Sequence, residues 1–226
     1  MFRAWRQIRG SHAALRRTDR ARTLALEALE DRAMLSFLTP VSRVVSGLPR
    51  SGTSLMMQML QAGGMSLLTD DLRPPDADNP NGYWEYEPVK RLQQDNSWIP
   101  KAEGKAVKVV SALLQYLPPQ HTCKIIFMQR PMQEVLASQT VMLERRGEQS
   151  GKADDKTLGT VFAQHLDRTE HWLATQKHMT VLHVNYHETI ADPEETAARV
   201  AQFLDLPLAV DAMARVVDSR LHRQRV

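Results

Sequence analysis

Apolar and polar positions alternate along the chain in blocks whose period changes repeatedly. Residues 12–36 carry Ala, Leu, Arg and Glu with no Gly or Pro, which predicts a helix that Pro40 ends. Ser42–Ser46 is a short β-branched run stopping at Gly47, and predicts the first strand. The apolar spacing over 53–62 predicts a helix closed by Gly63 and Gly64. A polar stretch follows over 69–84, with three prolines and four aspartates; it predicts a long loop, a feature that in compact domains often carries function. A short helix is expected over 86–95, strands over Ala106–Val110, Lys124–Met128 and Thr180–Val184, and helices over Met132–Leu143, 156–177, Pro193–Leu204 and Val210–Val217. Strand and helix in alternation predict an α/β fold: one domain over 37–226, built on a parallel sheet flanked by helices on both faces, with 1–36 as a basic N-terminal helical extension.

Composition changes this picture little. The chain has 226 residues, 29 Lys and Arg against 26 Asp and Glu, and a net charge of +3, too small an excess to point to nucleic acid. The single cysteine, Cys123, excludes an intramolecular disulfide framework and a Cys-based zinc cluster, and is expected to be an inert buried thiol. No apolar run approaches the ~18 residues of a membrane span, and no signal-peptide pattern opens the chain, so a cytoplasmic setting is expected. Charge is concentrated in residues 1–22, where seven arginines meet one acid, Asp19, and Phe2, Trp5 and Ile8 recur every third residue. That segment reads as a solvated or packed helix, or as a peripheral contact with a membrane or another anionic surface. Met56, Met57 and Met59 read as core filler, and the histidines show no metal-ligand spacing.

The sharpest chemical signal is Gly47-Leu-Pro-Arg-Ser-Gly-Thr-Ser54 between a strand and a helix. Two glycines five apart let the backbone N–H groups converge, and the following helix adds the positive end of its dipole, which suits a phosphate or a sulfate-like group. The string matches the phosphate loop G-x-x-x-x-G-K-S/T except that Thr53 replaces the lysine, and a cation stands inside the loop at Arg50 instead. The predicted strands end in Val110-Ser111, Met128-Gln129-Arg130 and Val184-Asn185, none of them in the acid that helps to hold Mg²⁺ in nucleoside triphosphatases.

These residues resemble the PAPS-dependent sulfotransferases, PAPS being 3′-phosphoadenosine-5′-phosphosulfate. Pro49-Arg-Ser-Gly-Thr53 is similar to that family's variant loop, and Arg130 with Ser138 eight residues later is similar to its second signature. The resemblance spans about residues 42–205. It implies that Pro49, Arg50, Ser51, Gly52, Thr53 and Ser54 hold the 5′-phosphosulfate, that Arg130 and Ser138 hold the 3′-phosphate, and that Tyr186 lies near the adenine. PAPS is then the cofactor, 3′,5′-ADP the product, and no metal is required. Lys108 is present where cytosolic-type members have a lysine, but Val110 occupies the position of their histidine. Counted from the loop, the carboxylate of the tyrosylprotein-type members falls on Asp71, in Asp70-Asp71-Leu72-Arg73, and their lysine on Lys108. Glu85, in Asn79-Pro-Asn-Gly-Tyr-Trp-Glu85, is the rival base. The implied reaction is in-line sulfuryl transfer to a hydroxyl or amine of an unidentified acceptor, with Asp71 or Glu85 taking the proton and Arg50 and Lys108 stabilising the developing charge. The competing readings are a nucleotide kinase or NTPase with a degenerate loop, and a non-catalytic nucleotide-binding protein.

Overall fold

Four parallel strands form one sheet: β1 (Val41–Gly47), β2 (Ala106–Lys108), β3 (Thr122–Gln129) and β4 (Met179–Asn185), in the spatial order β2-β1-β3-β4. They come from a computed structural model that describes residues 41–70, 72–145, 147 and 155–221. The helix expected over 12–36, the Arg-rich residues 1–22 and Asp71 lie outside the described residues. In register, Val45 stands beside Ile126 and Gly47 beside Met128, and Gln129 stands beside Asn185. Parallel pairing brings the C-terminal ends of the strands to one edge of the sheet, where loops after each strand can converge on a ligand.

Successive strand residues point to opposite faces, and both faces are covered. Val44, Ile125 and Phe127 enter a core with Leu114 and Leu173. Their neighbours Val45, Ile126 and Met128 enter a second core with Met56, Met57, Met59 and Leu60. This two-sided burial explains why Ile125–Met128 of β3 reads as a continuous apolar run. The methionines are the core filler they read as, and Cys123 is buried, its thiol pushed up to about 11 by desolvation.

The helices are α1 (Thr53–Ala62), α2 (Met132–Arg145), α3 (Asp155–Thr175), α4 (Tyr186–Ala191), α5 (Pro193–Leu204) and α6 (Val210–Arg215). Two expectations are corrected and one further helix appears. The element expected over 86–95 is a 3₁₀ turn over Glu87–Arg91, with Pro88 near its start. The second strand ends at Lys108 rather than at Val110; Val109 N–H still bonds Val45 O at 3.0 Å, but the chain then coils into a 3₁₀ segment over Ser111–Tyr116. After β4 the chain enters α4 directly, because the Asn185 side chain accepts from the backbone N–H of His187 at 2.8 Å and of Glu188 at 3.3 Å and so caps a new helix.

Candidate active site

The loop after β1 depends on its glycines. Gly47 has φ +143°, and a Cβ there would lie 2.5 Å from Ser51 Oγ and 2.7 Å from Met128 O. Gly52 has φ +103°, and a Cβ there would lie 2.6 Å from Cδ2 of Tyr186. Between them Arg50 is left-handed at φ 69°, a conformation that costs a non-glycine residue roughly 1 kcal/mol. Ser51 points inward, is 2% exposed, and donates to Leu48 O at 2.7 Å, so its hydroxyl holds the turn. Gly52 is the N-cap of α1 and offers no capping side chain, and the first turn carries no acid. The first-turn N–H groups of α1 therefore present an anion-binding end.

Three residues meet around Arg50. Its Nε donates to Ser138 Oγ at 2.8 Å and its Nη2 to Asp78 O at 3.1 Å. Arg130, at the end of β3, donates from Nη1 to Arg50 O at 3.2 Å and from Nε to Glu134 Oε2 at 2.8 Å, and lies 4.5 Å over the Tyr186 ring. Glu134 is 1% exposed, and its other oxygen accepts from His187 Nε2 at 2.8 Å. A carboxylate so buried is tolerable because both oxygens are engaged by charged or polar donors. Burial pulls the Arg50 guanidinium below its ordinary range, and the nearby Asp78 carboxylate pushes it back up.

The loop after α1 folds onto the same edge. Asn79 Nδ2 donates to Ser54 Oγ at 2.9 Å, and Tyr83 OH donates to the Asp76 carboxylate at 2.7 Å. Asp70 does not reach the cleft cations; its Oδ2 accepts from Glu87 N–H at 2.6 Å, bracing the loop. Lys108 Nζ donates to Tyr83 O and, at 3.3 Å, to Ser54 Oγ, and stands 3.6 Å from Glu85 Oε1. Arg73 Nη1 donates to the same Glu85 oxygen at 3.3 Å, with its guanidinium carbon 3.2 Å over the centre of the Tyr83 ring. Desolvation holds Lys108 down to about 8, against the partial support of Glu85.

One cleft of about 410 Å³ collects these groups: Pro49, Arg50, Gly52, Thr53, Ser54, Glu85, Lys108, Arg130, Ser138 and Tyr186 all line it. Of the residues singled out from sequence, Ser51 stands behind it and Asp71 lies outside the described residues. Sequence reasoning missed Glu134, Asp78, Asn79 and Tyr83. Glu134 stands four residues after Arg130, a spacing that signals an ion pair on a helix face but says nothing of its burial.

The family model for the sulfotransferase domain matches residues 42–223. The chain belongs to the sulfotransferase domain family. Sulfotransferase STF1 from Mycobacterium tuberculosis shares the fold, with 16% identity and a TM-score of 0.54 over 80% of this chain and 72% of that one. The sulfotransferase domain from the curacin biosynthetic pathway matches with 16% identity and a TM-score of 0.49 over 74% and 75%. A mouse sulfotransferase complexed with PAP matches with 14% identity and a TM-score of 0.49 over 83% and 67%. No curated protein matches the sequence. As a sulfotransferase the protein is an enzyme of sulfuryl transfer and requires an acceptor, and the kinase or NTPase reading of its loop is not favoured.

Proposed function

We propose that this sulfotransferase moves the sulfuryl group of PAPS to an acceptor hydroxyl or amine in the cleft at the C-terminal edge of the sheet, without a metal ion. The observation that carries the reading is the meeting of Arg50, Lys108, Arg130 and Ser138 with the uncapped end of α1 in one cleft. The donor set fits the nucleotide. Arg50, Lys108, Thr53, Ser54 and the α1 N–H groups suit a phosphosulfate, Arg130 and Ser138 suit a phosphate, and Tyr186 offers an aromatic face. Ser138 Oγ accepts from Arg50 Nε, which leaves its own proton to donate to a ligand oxygen. When bound, PAPS supplies an activated sulfuryl group on a phosphate leaving group.

In this reading Glu85 takes the proton of the acceptor. Lys108 and Arg73 both approach Oε1, so Oε2 is the oxygen that meets the acceptor. Lys108 and Arg50 stabilise charge that builds on the leaving oxygen. The family match beginning at residue 42 supports 1–36 as a separate extension, and we assign residues 1–22 to a peripheral contact with an anionic surface. No described helix is long and apolar enough to cross a membrane; a cytoplasmic setting remains part of the proposal. Calorimetric titration in the presence of a chelator tests the cofactor assignment. The expected result is that 3′,5′-ADP binds at least tenfold more tightly than 5′-AMP; equal affinities would overturn the roles given to Arg130 and Ser138.

A further inference from the structure

Arg130, Ser138 and Tyr186 line the cleft, but the groups that hold two of them stand behind it. Neither Glu134, in the first turn of α2, nor His187, in the first turn of α4, is part of the cleft wall. Glu134 Oε2 accepts from Arg130 Nε at 2.8 Å, and Oε1 accepts from His187 Nε2 at 2.8 Å. An ionised carboxylate can only accept, so the second bond puts a proton on Nε2. With Nε on Glu134 and Nη1 on Arg50 O at 3.2 Å, the planar fork of Arg130 is fixed at two points. His187 is fixed in turn through its backbone, whose N–H donates to the Asn185 side chain at 2.8 Å. Gln129 and Asn185 are register neighbours, so Arg130 and Tyr186 leave the sheet side by side. One buried carboxylate therefore joins the end of β3, α2 and the start of α4, the segments that supply Arg130, Ser138 and Tyr186.

We propose that Glu134, held by His187, is a positioning residue through which the site reads where on the ribose the second phosphate sits. The inference rests on the PAPS reading of the cleft. As a charge, Glu134 opposes any anion bound beside Arg130, and its 1% exposure makes it costly to keep. Its contribution is geometric. A guanidinium free to swing attracts any nearby phosphate, whereas one held in plane bonds best to the phosphate whose oxygens meet its fork. The spacing of Arg130 and Glu134 would serve equally for an exposed ion pair on a helix face. The second bond, from a histidine on another helix, is what ties the guanidinium to the segment that carries Tyr186. His187 suits a test because its side chain is 44% exposed and the Asn185 cap of α4 uses only its backbone.

Calorimetric titration at one fixed pH with 3′,5′-ADP, 2′,5′-ADP and 5′-AMP tests the proposal. The two bisphosphates carry the same groups and differ only in the ribose oxygen that bears the second phosphate. Wild type should prefer 3′,5′-ADP to 2′,5′-ADP by about tenfold or more, the worth of one charge-assisted hydrogen bond. In His187→Ala that preference should shrink to about threefold or less, with the Kd for 5′-AMP within about twofold of wild type. His187→Gln, whose amide can donate to the same carboxylate oxygen, should recover most of the preference. Adding His187→Ala to Glu134→Gln should change the preference no further than Glu134→Gln alone, because the histidine acts through the carboxylate. An unchanged preference in His187→Ala, or an equal loss of affinity for all three nucleotides, would overturn the proposal. So would tighter binding of both bisphosphates in Glu134→Gln with the preference kept, which would make the carboxylate a charge balance alone. A wild type that prefers 3′,5′-ADP to 5′-AMP but not to 2′,5′-ADP keeps the cofactor reading and sinks the positioning role. One that binds 3′,5′-ADP and 5′-AMP equally sinks both.

Discussion

Lys108 gives the cleft a pH dependence whose size follows from its surroundings. Its Nζ lies 3.6 Å from Glu85 Oε1, an attraction of about 5 kcal/mol at the effective dielectric of a site near the protein surface. Burial outweighs that attraction, because the lysine still falls from 10.5 to about 8. The fall means that the free site disfavours the ammonium by about 3 kcal/mol. An anionic oxygen arriving within 4 Å would add about 4 kcal/mol of attraction at the same dielectric, enough to restore the proton. Three consequences follow for the measurements. In wild type, kcat/KM for PAPS, which reports the free enzyme, should fall tenfold per pH unit above about pH 8, while kcat stays level to higher pH. Binding of 3′,5′-ADP at pH 9 should take up close to one proton, seen by calorimetry in buffers of different ionisation enthalpy. Lys108→Met should lower kcat by about 10²–10³, the cost of one stabilising donor, and should abolish the proton uptake. The stability sign is opposite to that of activity. Between about pH 8 and 10.5 the unfolded chain binds the proton that the folded chain has lost, so the lysine's contribution makes the fold more stable as pH rises through that window. A kcat/KM profile flat from pH 7 to 9.5, or proton uptake unchanged in Lys108→Met, would refute the reasoning.

Arg50→Ala removes the cation that ties the loop to Ser138 and Asp78; transfer should slow by at least tenfold, the fold should survive with a loss of about 1–3 kcal/mol from the two hydrogen bonds, and full activity would remove Arg50 from the mechanism. Gly52→Ala sets a methyl 2.6 Å from Tyr186 in a backbone conformation that alanine resists, and should cost about 1–3 kcal/mol in a denaturant melt, part of it regained in a Tyr186→Ala background. Glu85→Gln should lower single-turnover transfer by about 10²–10⁴ with 3′,5′-ADP binding retained, whereas Asp71→Asn should stay near the parent rate. A reversed pattern would move the base to Asp71, and two parent-like variants would exclude both.

The loop, Arg130, Ser138, Lys108 and Glu85 were all singled out in sequence and all line one cleft, but the contacts that Lys108 and Glu85 make there were not legible. The reason is the range of the interactions. The loop from Gly47 to Ser54, and Arg130 with Ser138, are local strings whose backbone settings come with them, so residue type and spacing were enough. β3 and α5 were legible for similar reasons: a two-sided apolar run in one case, and in the other Asp192 accepting from Glu195 N–H at 3.0 Å with Pro193 at the first turn. The charged cluster has no such string. Lys108 reaches Ser54 across 54 residues and Tyr83 O across 25, and Arg73 reaches Glu85 across 12. Only the folding of the proline-rich loop onto α1 brings them together, through Asn79 on Ser54 and Tyr83 on Asp76.

Arg50 shows how the two halves depend on each other. Its left-handed backbone is unfavourable for an arginine by roughly 1 kcal/mol, and a glycine would relieve it. Two side-chain hydrogen bonds that glycine would forfeit oppose that relief, Nε to Ser138 and Nη2 to Asp78 O, while Arg130 holds the backbone through the Arg50 carbonyl. At roughly 0.5–1.5 kcal/mol each, such bonds exceed the strain. The residue is therefore held against its preference by Asp78 from the loop after α1 and by Arg130 and Ser138 from the end of β3 and α2. A charge fixed in advance needs no reorganisation when charge develops beside it, which is the condition under which a single cation contributes most to a transfer step.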